Sequence, residues 1–182
     1  MTIEYAILGF LNWRPLSGYD LKKMFADTMF IYWSGNNNQI YKTLIELRQT
    51  GLVASEVQVQ ESGPARKVYT ITSKGRSKLR QWLLSAPEPP QLRNSFLIQL
   101  AWADQLPPDE LDTLLANYEN EVQAQALMYR EQKRRNRINP ARTPREAYLW
   151  GAIADNWITF YENELAWVRN LRQELGNSEN QP

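Results

Sequence analysis

At Gly51 the spacing of apolar residues changes from three-and-four to two, and after Thr72 it changes back. A segment's apolar period selects one backbone geometry, so this switch predicts helices, then a pair of strands, then helix again. Upstream, Ile3, Ala6, Ile7, Phe10 and Leu11 mark a helix from Ile3 to Trp13, stopped by Pro15. Ser17, with Asp20 three positions on, is a capping pair for a short second helix whose inner stripe is Leu21, Met24, Phe25 and Thr28. Trp33 to Asn38 is a polar, turn-forming stretch, and a third helix is expected from about Asn37 to Thr50, with Gly51 suited to a left-handed position after it. Val53, Ser55, Val57 and Val59 alternate with Ala54, Glu56 and Gln58 as one strand. Glu61 to Arg66 reads as a turn and Lys67 to Ile71 as the returning strand. Thr72 then caps a helix reaching about Leu84, with Leu79, Trp82 and Leu83 as its inner face.

Ser85-Ala86-Pro87-Glu88-Pro89-Pro90 cannot sustain regular structure, which sets a boundary between a domain at 1–86 and another at 87–175. The second domain reads as helix throughout: about Leu92–Asp104, Pro108–Arg134 and Pro144–Leu175, followed by a flexible tail at 176–182. The expected fold is therefore mainly α with one small β-hairpin. Within the last helix Trp150, Ala154, Trp157, Tyr161, Glu164, Val168, Leu171 and Leu175 step by four and three, while Leu149, Ile153, Phe160 and Trp167 widen the apolar surface. Helices of this length span about 40–47 Å, more than one small domain can cover. A second subunit is expected on that surface, with Trp150, Trp157, Tyr161, Val168 and Leu171 as its dimerisation residues.

Charge and missing residue types narrow the function. Lysine and arginine number 21 against 20 acidic residues, yet residues 1–90 carry a net +4 and residues 91–182 a net −3, so positive potential gathers in the N-terminal half. With no cysteine and no histidine, disulfides, thiol nucleophiles, imidazole bases and the usual zinc ligands are all excluded. No paired carboxylates in a motif and no glycine-rich phosphate loop stand in the chain, so neither an enzyme nor a cofactor is expected. The opening residues lack the basic and apolar regions of a signal peptide, and no apolar run is long enough to cross a membrane, so a cytoplasmic protein without membrane contact is expected.

Three helices, a hairpin and a helix within about eighty residues is the order of a winged helix-turn-helix, whose third helix enters the major groove of double-stranded DNA. With Ile40, Leu44 and Leu47 facing inward, Asn38, Gln39, Lys42, Glu46 and Gln49 face outward. Asparagine and glutamine pair bidentately with adenine, lysine reaches guanine or phosphate, and Tyr41 at the edge reaches phosphate. Arg66 and Lys67 are expected on the hairpin tip, with Lys74, Arg76, Lys78 and Arg80 following, where a DNA backbone would run. The candidate DNA-binding set is Asn37, Asn38, Gln39, Tyr41, Lys42, Thr43, Arg66 and Lys67. Read blandly, the asparagines are a helix cap and each cation a solvated charge.

These segments resemble the PadR-like transcriptional regulators. The carriers are Tyr5-Ala6-Ile7-Leu8-Gly9-Phe10-Leu11, Ser17-Gly18-Tyr19-Asp20-Leu21, Gln39-Ile40-Tyr41-Lys42-Thr43-Leu44, Gly51-Leu52-Val53 and the run from Gly63 to Arg76. They stand in the family's order over most of residues 3–84. Where members often have Pro or Ser-Pro before the recognition helix, this chain has Gly35-Asn36-Asn37-Asn38. The resemblance implies a homodimer on a palindromic operator, usually a repressor, with the C-terminal helices as the dimer interface.

Aromatic residues at helical spacing are more often core than pocket, but ligand-responsive members of the family suggest a pocket for a small aromatic effector, with Phe96, Trp102 and Trp157 as candidate lining. The cluster Arg130, Lys133, Arg134, Arg135 and Arg137 is read as complementing a helix C-terminus rather than as touching DNA. A competing reading makes the winged helix a protein-docking module, against which the polar outward face of the third helix argues.

Overall fold

The computed structural model describes residues 3–28, 37–60, 63–90, 93–135 and 142–178. The turn stretch at 33–36, the hairpin residues Glu61 and Ser62, the expected helix start at Leu92, Arg137, Asn139-Pro140 and residues 179–182 lie outside the described set. The chain divides into two compact units, Met1–Glu88 and Pro89–Pro182.

In the first unit α1 (Ile3–Trp13) buries Ile3, Ile7, Leu8, Phe10 and Leu11. Ser17 caps α2 (Gly18–Asp27) in a full capping box: its hydroxyl accepts from the Asp20 N–H at 3.1 Å, and the Asp20 carboxylate accepts from the Ser17 N–H at 3.0 Å. The third helix, α3 (Asn37–Gln49), turns Ile40, Leu44 and Leu47 into the core, each burial stabilising by about 1.5–3 kcal/mol. Gly51, at φ +70°, ends it in a left-handed position, with the Gly51 N–H on the Arg48 carbonyl and the Leu52 N–H on the Leu47 carbonyl.

Three strands make an antiparallel sheet in the order β1-β3-β2: β1 (Leu16–Ser17), β2 (Val53–Gln60) and β3 (Gly63–Ile71). Two residues carry no readable period, so β1 was not foreseen; it forms because Leu16 and Ser17 lie along Tyr69 and Val68. The expected turn at 61–66 is also corrected, since β3 already begins at Gly63 and Arg66 pairs with Gln58. Pro64 is tolerated because β1 reaches only Val68 and Tyr69, leaving that part of β3 with a neighbour on one side. Helix α4 (Ser73–Leu83) is capped by the Thr72 hydroxyl, which accepts from the Gly75 N–H at 3.1 Å. Leu79 is buried, but Leu83 is 65% exposed and Trp82 lies stacked on Tyr5 at the surface, against the expected inner face. The last turn of α4 runs past the core that its first turns rest on.

The second unit opens with α5 (Ser95–Ala101), capped by Asn94, and a single 3-10 turn over Ala103–Gln105. This piece is shorter than the expected Leu92–Asp104 helix. Helices α6 (Pro108–Arg135) and α7 (Pro144–Ser178) pack antiparallel, because partners on one rise in number as those on the other fall. Leu115, Val122, Ala126 and Tyr129 of α6 and Ala154 and Val168 of α7 are buried. One flank of the pair is closed by a ladder of ion pairs: Arg172 with Asp112 (2.7 Å) and Glu119 (3.0 Å), Arg169 with Glu119 (2.8 Å), Arg130 with Glu162, and Lys133 with Asp155. Helix α7 continues three residues beyond the expected end at Leu175, to Ser178.

Candidate nucleic-acid interface

The outward face of α3 carries Asn38, Gln39, Tyr41, Lys42, Ile45 and Gln49, all exposed, and Asn37 is its first residue. Thr43, in the sequence-derived set, is only 7% exposed and lies in the fold. Sequence reasoning passed over Ile45. It is 48% exposed, and five positions beyond Ile40 it stands about 140° round the helix from the core stripe. An apolar side chain there, beside Lys42, can meet a thymine methyl group. A helical wheel would have shown it as the one aliphatic residue on the polar side.

Tyr41 is placed by a glycine. A Cβ on Gly18 would stand 2.5 Å from Tyr41 Cε1, so its ring lies against the first residue of α2 only because that residue has no side chain. Tyr41 is nevertheless 45% exposed.

The hairpin cations behave differently from one another. Lys67 is exposed, with Nζ 5.6 Å above the Tyr69 ring. Neither is on the expected hairpin tip, since Arg66 pairs with Gln58 and Lys67 with Val57; the Arg66 Nη2 donates to Ser17 Oγ at 3.0 Å and to the Asp20 carboxylate. Burial pushes the Asp20 carboxyl up, but hydrogen bonds from the Ser17 N–H and hydroxyl, and the bond and charge of Arg66, more than reverse this and hold it below the usual aspartate value. Three of the four cations after the hairpin are also engaged: Lys74 donates to the Thr50 carbonyl at 2.9 Å, Arg76 to the Ile71 carbonyl at 3.1 Å, and Lys78 pairs with Glu4 at 2.6 Å. Among the described residues no cluster of acidic side chains could hold a metal ion, and no helix is long and apolar enough to cross a membrane.

Two family models match the chain, that of the transcriptional regulator PadR-like family over residues 7–81 and that of the virulence activator alpha C-term over residues 92–176. The negative transcriptional regulator PadR of Bacillus subtilis is 30% identical over 124 residues, 68% of each chain. This chain belongs to the PadR-like family. It is thus a transcriptional regulator by family, and the family is not one of enzymes. Two solved structures carry the same fold. Bacillus subtilis PadR in complex with operator DNA matches with a TM-score of 0.82 at 22% identity, over 95% of this chain and 98% of that one. The same protein in complex with p-coumaric acid matches with a TM-score of 0.77 at 21% identity, over 96% and 98%.

In the second unit of this PadR-like chain the expected dimerisation stripe turns inward. Val168 is fully buried, Trp157 and Tyr161 stack on Tyr129 of α6, and Trp150 and Leu171 are half-buried. The exposed apolar surface of α7 is its neighbour, Leu149 (51%), Ile153 (40%), Phe160 (37%) and Trp167 (38%). Among the suggested pocket residues, Phe96 is buried and stacked on Tyr118, with Trp167 edge-on. Trp157 belongs to the separate Tyr129 stack, and Trp102 is 68% exposed. The basic cluster at the end of α6 is ion-paired where described: Arg130 with Glu162, Lys133 with Asp155, and Arg134 and Arg135 with Glu131.

Proposed function

We propose that this regulator reads a palindromic operator as a homodimer, acts as a repressor in the cytoplasm without a cofactor, and is released by a small aromatic effector. The observation that carries the reading is the outward face of α3: an amide-rich start, Asn38 and Gln39, followed by Tyr41, Lys42 and Ile45 on a helix whose other side is core. Residues 1–86 would hold the DNA and residues 87–175 the partner subunit and effector. The Bacillus subtilis relative's complexes with operator DNA and with p-coumaric acid support a regulator that binds both DNA and a small aromatic effector. The surface we assign to the second copy is Leu149, Ile153, Phe160 and Trp167, because the ion-pair ladder closes a different flank of α7 and these four remain open.

The test is fluorescence anisotropy with the duplex upstream of the chain's own gene against unrelated DNA. Specific binding is expected, and Gln39→Ala should reduce discrimination by about 1–3 kcal/mol. Equal affinity for both duplexes, or none for either, overturns the reading in favour of a protein-docking module.

A further inference from the structure

The outer hairpin has little core beneath it. Val57 is 65% exposed and Val59 is 87% exposed, and β1 supports β3 only at Val68 and Tyr69. Among the described residues, the side-chain hydrogen bonds that leave this outer part for another element are those of Arg66. They end at the N-terminus of α2. There a single carboxylate oxygen, Asp20 Oδ2, accepts from the Ser17 N–H (3.0 Å), the Ser17 hydroxyl (2.9 Å) and the Arg66 guanidinium. The capping box of one helix therefore doubles as the socket for a side chain of the wing.

We propose that Asp20 and Arg66 form a positioning pair that sets the angle of the wing against the helix-turn-helix, and that Lys67, not Arg66, is the wing's phosphate anchor. The inference rests on the DNA-binding reading above. Arg66 commits its Nη2 to both Ser17 and Asp20, about 37% of its side chain remaining exposed, whereas Lys67 extends from the other face of the strand with its ammonium over Tyr69. A guanidinium already neutralised by a carboxylate releases no phosphate counterion on binding; a solvated ammonium does. The pair also explains why an acidic residue can stand at the start of α2, where an unpaired carboxylate would repel a nearby phosphate.

The two roles predict opposite signs for one substitution. If Arg66 is an anchor restrained by Asp20, then Asp20→Asn frees it, tightening DNA binding and steepening the salt dependence. If the pair positions the wing, Asp20→Asn and Arg66→Gln both weaken operator binding by about ten-fold, the equivalent of one charge-assisted hydrogen bond. The double variant is then no worse than either single, and the log–log salt slope stays at the wild-type value. Lys67→Gln instead lowers that slope by about 1 per subunit. Anisotropy titrations of wild type and the four variants over a range of salt read all of this.

Amide hydrogen exchange of residues 57–60 and 65–67, followed without DNA, should be about ten-fold faster in Asp20→Asn, while exchange in α1 stays as in wild type. That second readout is independent of DNA binding and separates loss of the tether from loss of the fold. Unchanged exchange in the hairpin, or tighter binding by Asp20→Asn, overturns the inference; a wild-type protein that binds no DNA overturns the functional reading and leaves the tether to be judged by the exchange alone.

Discussion

Gly75 offers a sharp test of how α4 is seated. A Cβ added there would stand 2.2 Å from the Leu52 carbonyl oxygen and 2.8 Å from Ile71 Cγ1. To reach 3.0 Å, below which such atoms essentially never come, the carbonyl has to retreat by about 0.8 Å. That carbonyl accepts both the Thr72 N–H and the Thr72 hydroxyl at 3.0 Å, and the same hydroxyl caps α4 by accepting from the Gly75 N–H. The Thr72 N–H bond, and part of a hydroxyl bond shared with the Gly51 carbonyl at 2.8 Å, are placed at risk at about 1–2 kcal/mol together, and overpacking against Ile71 adds about 1–3 kcal/mol. Alanine in place of glycine inside a helix returns about 0.5–1 kcal/mol. Gly75→Ala should therefore destabilise the first unit by about 2–4 kcal/mol. Gly9 is the internal control: it is also helical, a Cβ there meets nothing within 4 Å, and Gly9→Ala should stabilise by about 0.5–1 kcal/mol. Urea unfolding of both variants, followed by far-ultraviolet circular dichroism, measures the pair. A midpoint for Gly75→Ala at or above wild type would refute the argument, since it would mean that the backbone around Leu52 yields freely.

Gly18→Ala should push the Tyr41 ring off α2 and weaken operator binding by about ten-fold with little loss of stability, because the exposed ring can swing into water; a parallel loss of melting temperature would show that the ring is instead part of the core. Phe160→Glu places a charge on the open apolar flank of α7 and should shift the mass seen by light scattering from two chains to one, whereas Tyr148→Glu, at a more exposed site, should leave it unchanged. Burial, followed by its hydrogen bond to Glu164, pushes the Tyr118 hydroxyl up to about 12 from 10.0, with Asn94 opposing. Its protonated form is the one the fold favours, so its contribution to stability is complete below pH 10 and lost as pH rises towards 12; the stability difference between wild type and Tyr118→Phe should narrow across that interval in chemical unfolding at pH 9 and 11.

Local rules were enough for much of this molecule. The period change at Gly51, the capping box at Ser17 and Asp20, the Thr72 cap and the inward triplet Ile40, Leu44 and Leu47 all depend on residues within one or two turns of each other, where backbone geometry leaves few choices. The run of family-like segments from Tyr5 to Arg76 was legible for the same reason. What lies opposite a residue across the fold is a different matter. On α7 two apolar stripes run side by side, and periodicity could not say that the stripe through Val168 meets α6 while the one through Phe160 stays open; that depends on where Leu115 and Tyr129 arrive from another helix. Thr43, expected at the DNA, lies in the fold, and Ile45, which the sequence reading passed over, stands outside it, because α3 is flanked on one side by the rest of its unit and not on the other. Arg66 carries the same charge whether it meets phosphate or Asp20. Only the antiparallel register that brings β3 alongside Ser17, 49 residues earlier in the chain, decides between them, because a charge acts on whatever the tertiary structure places within a few ångströms of it.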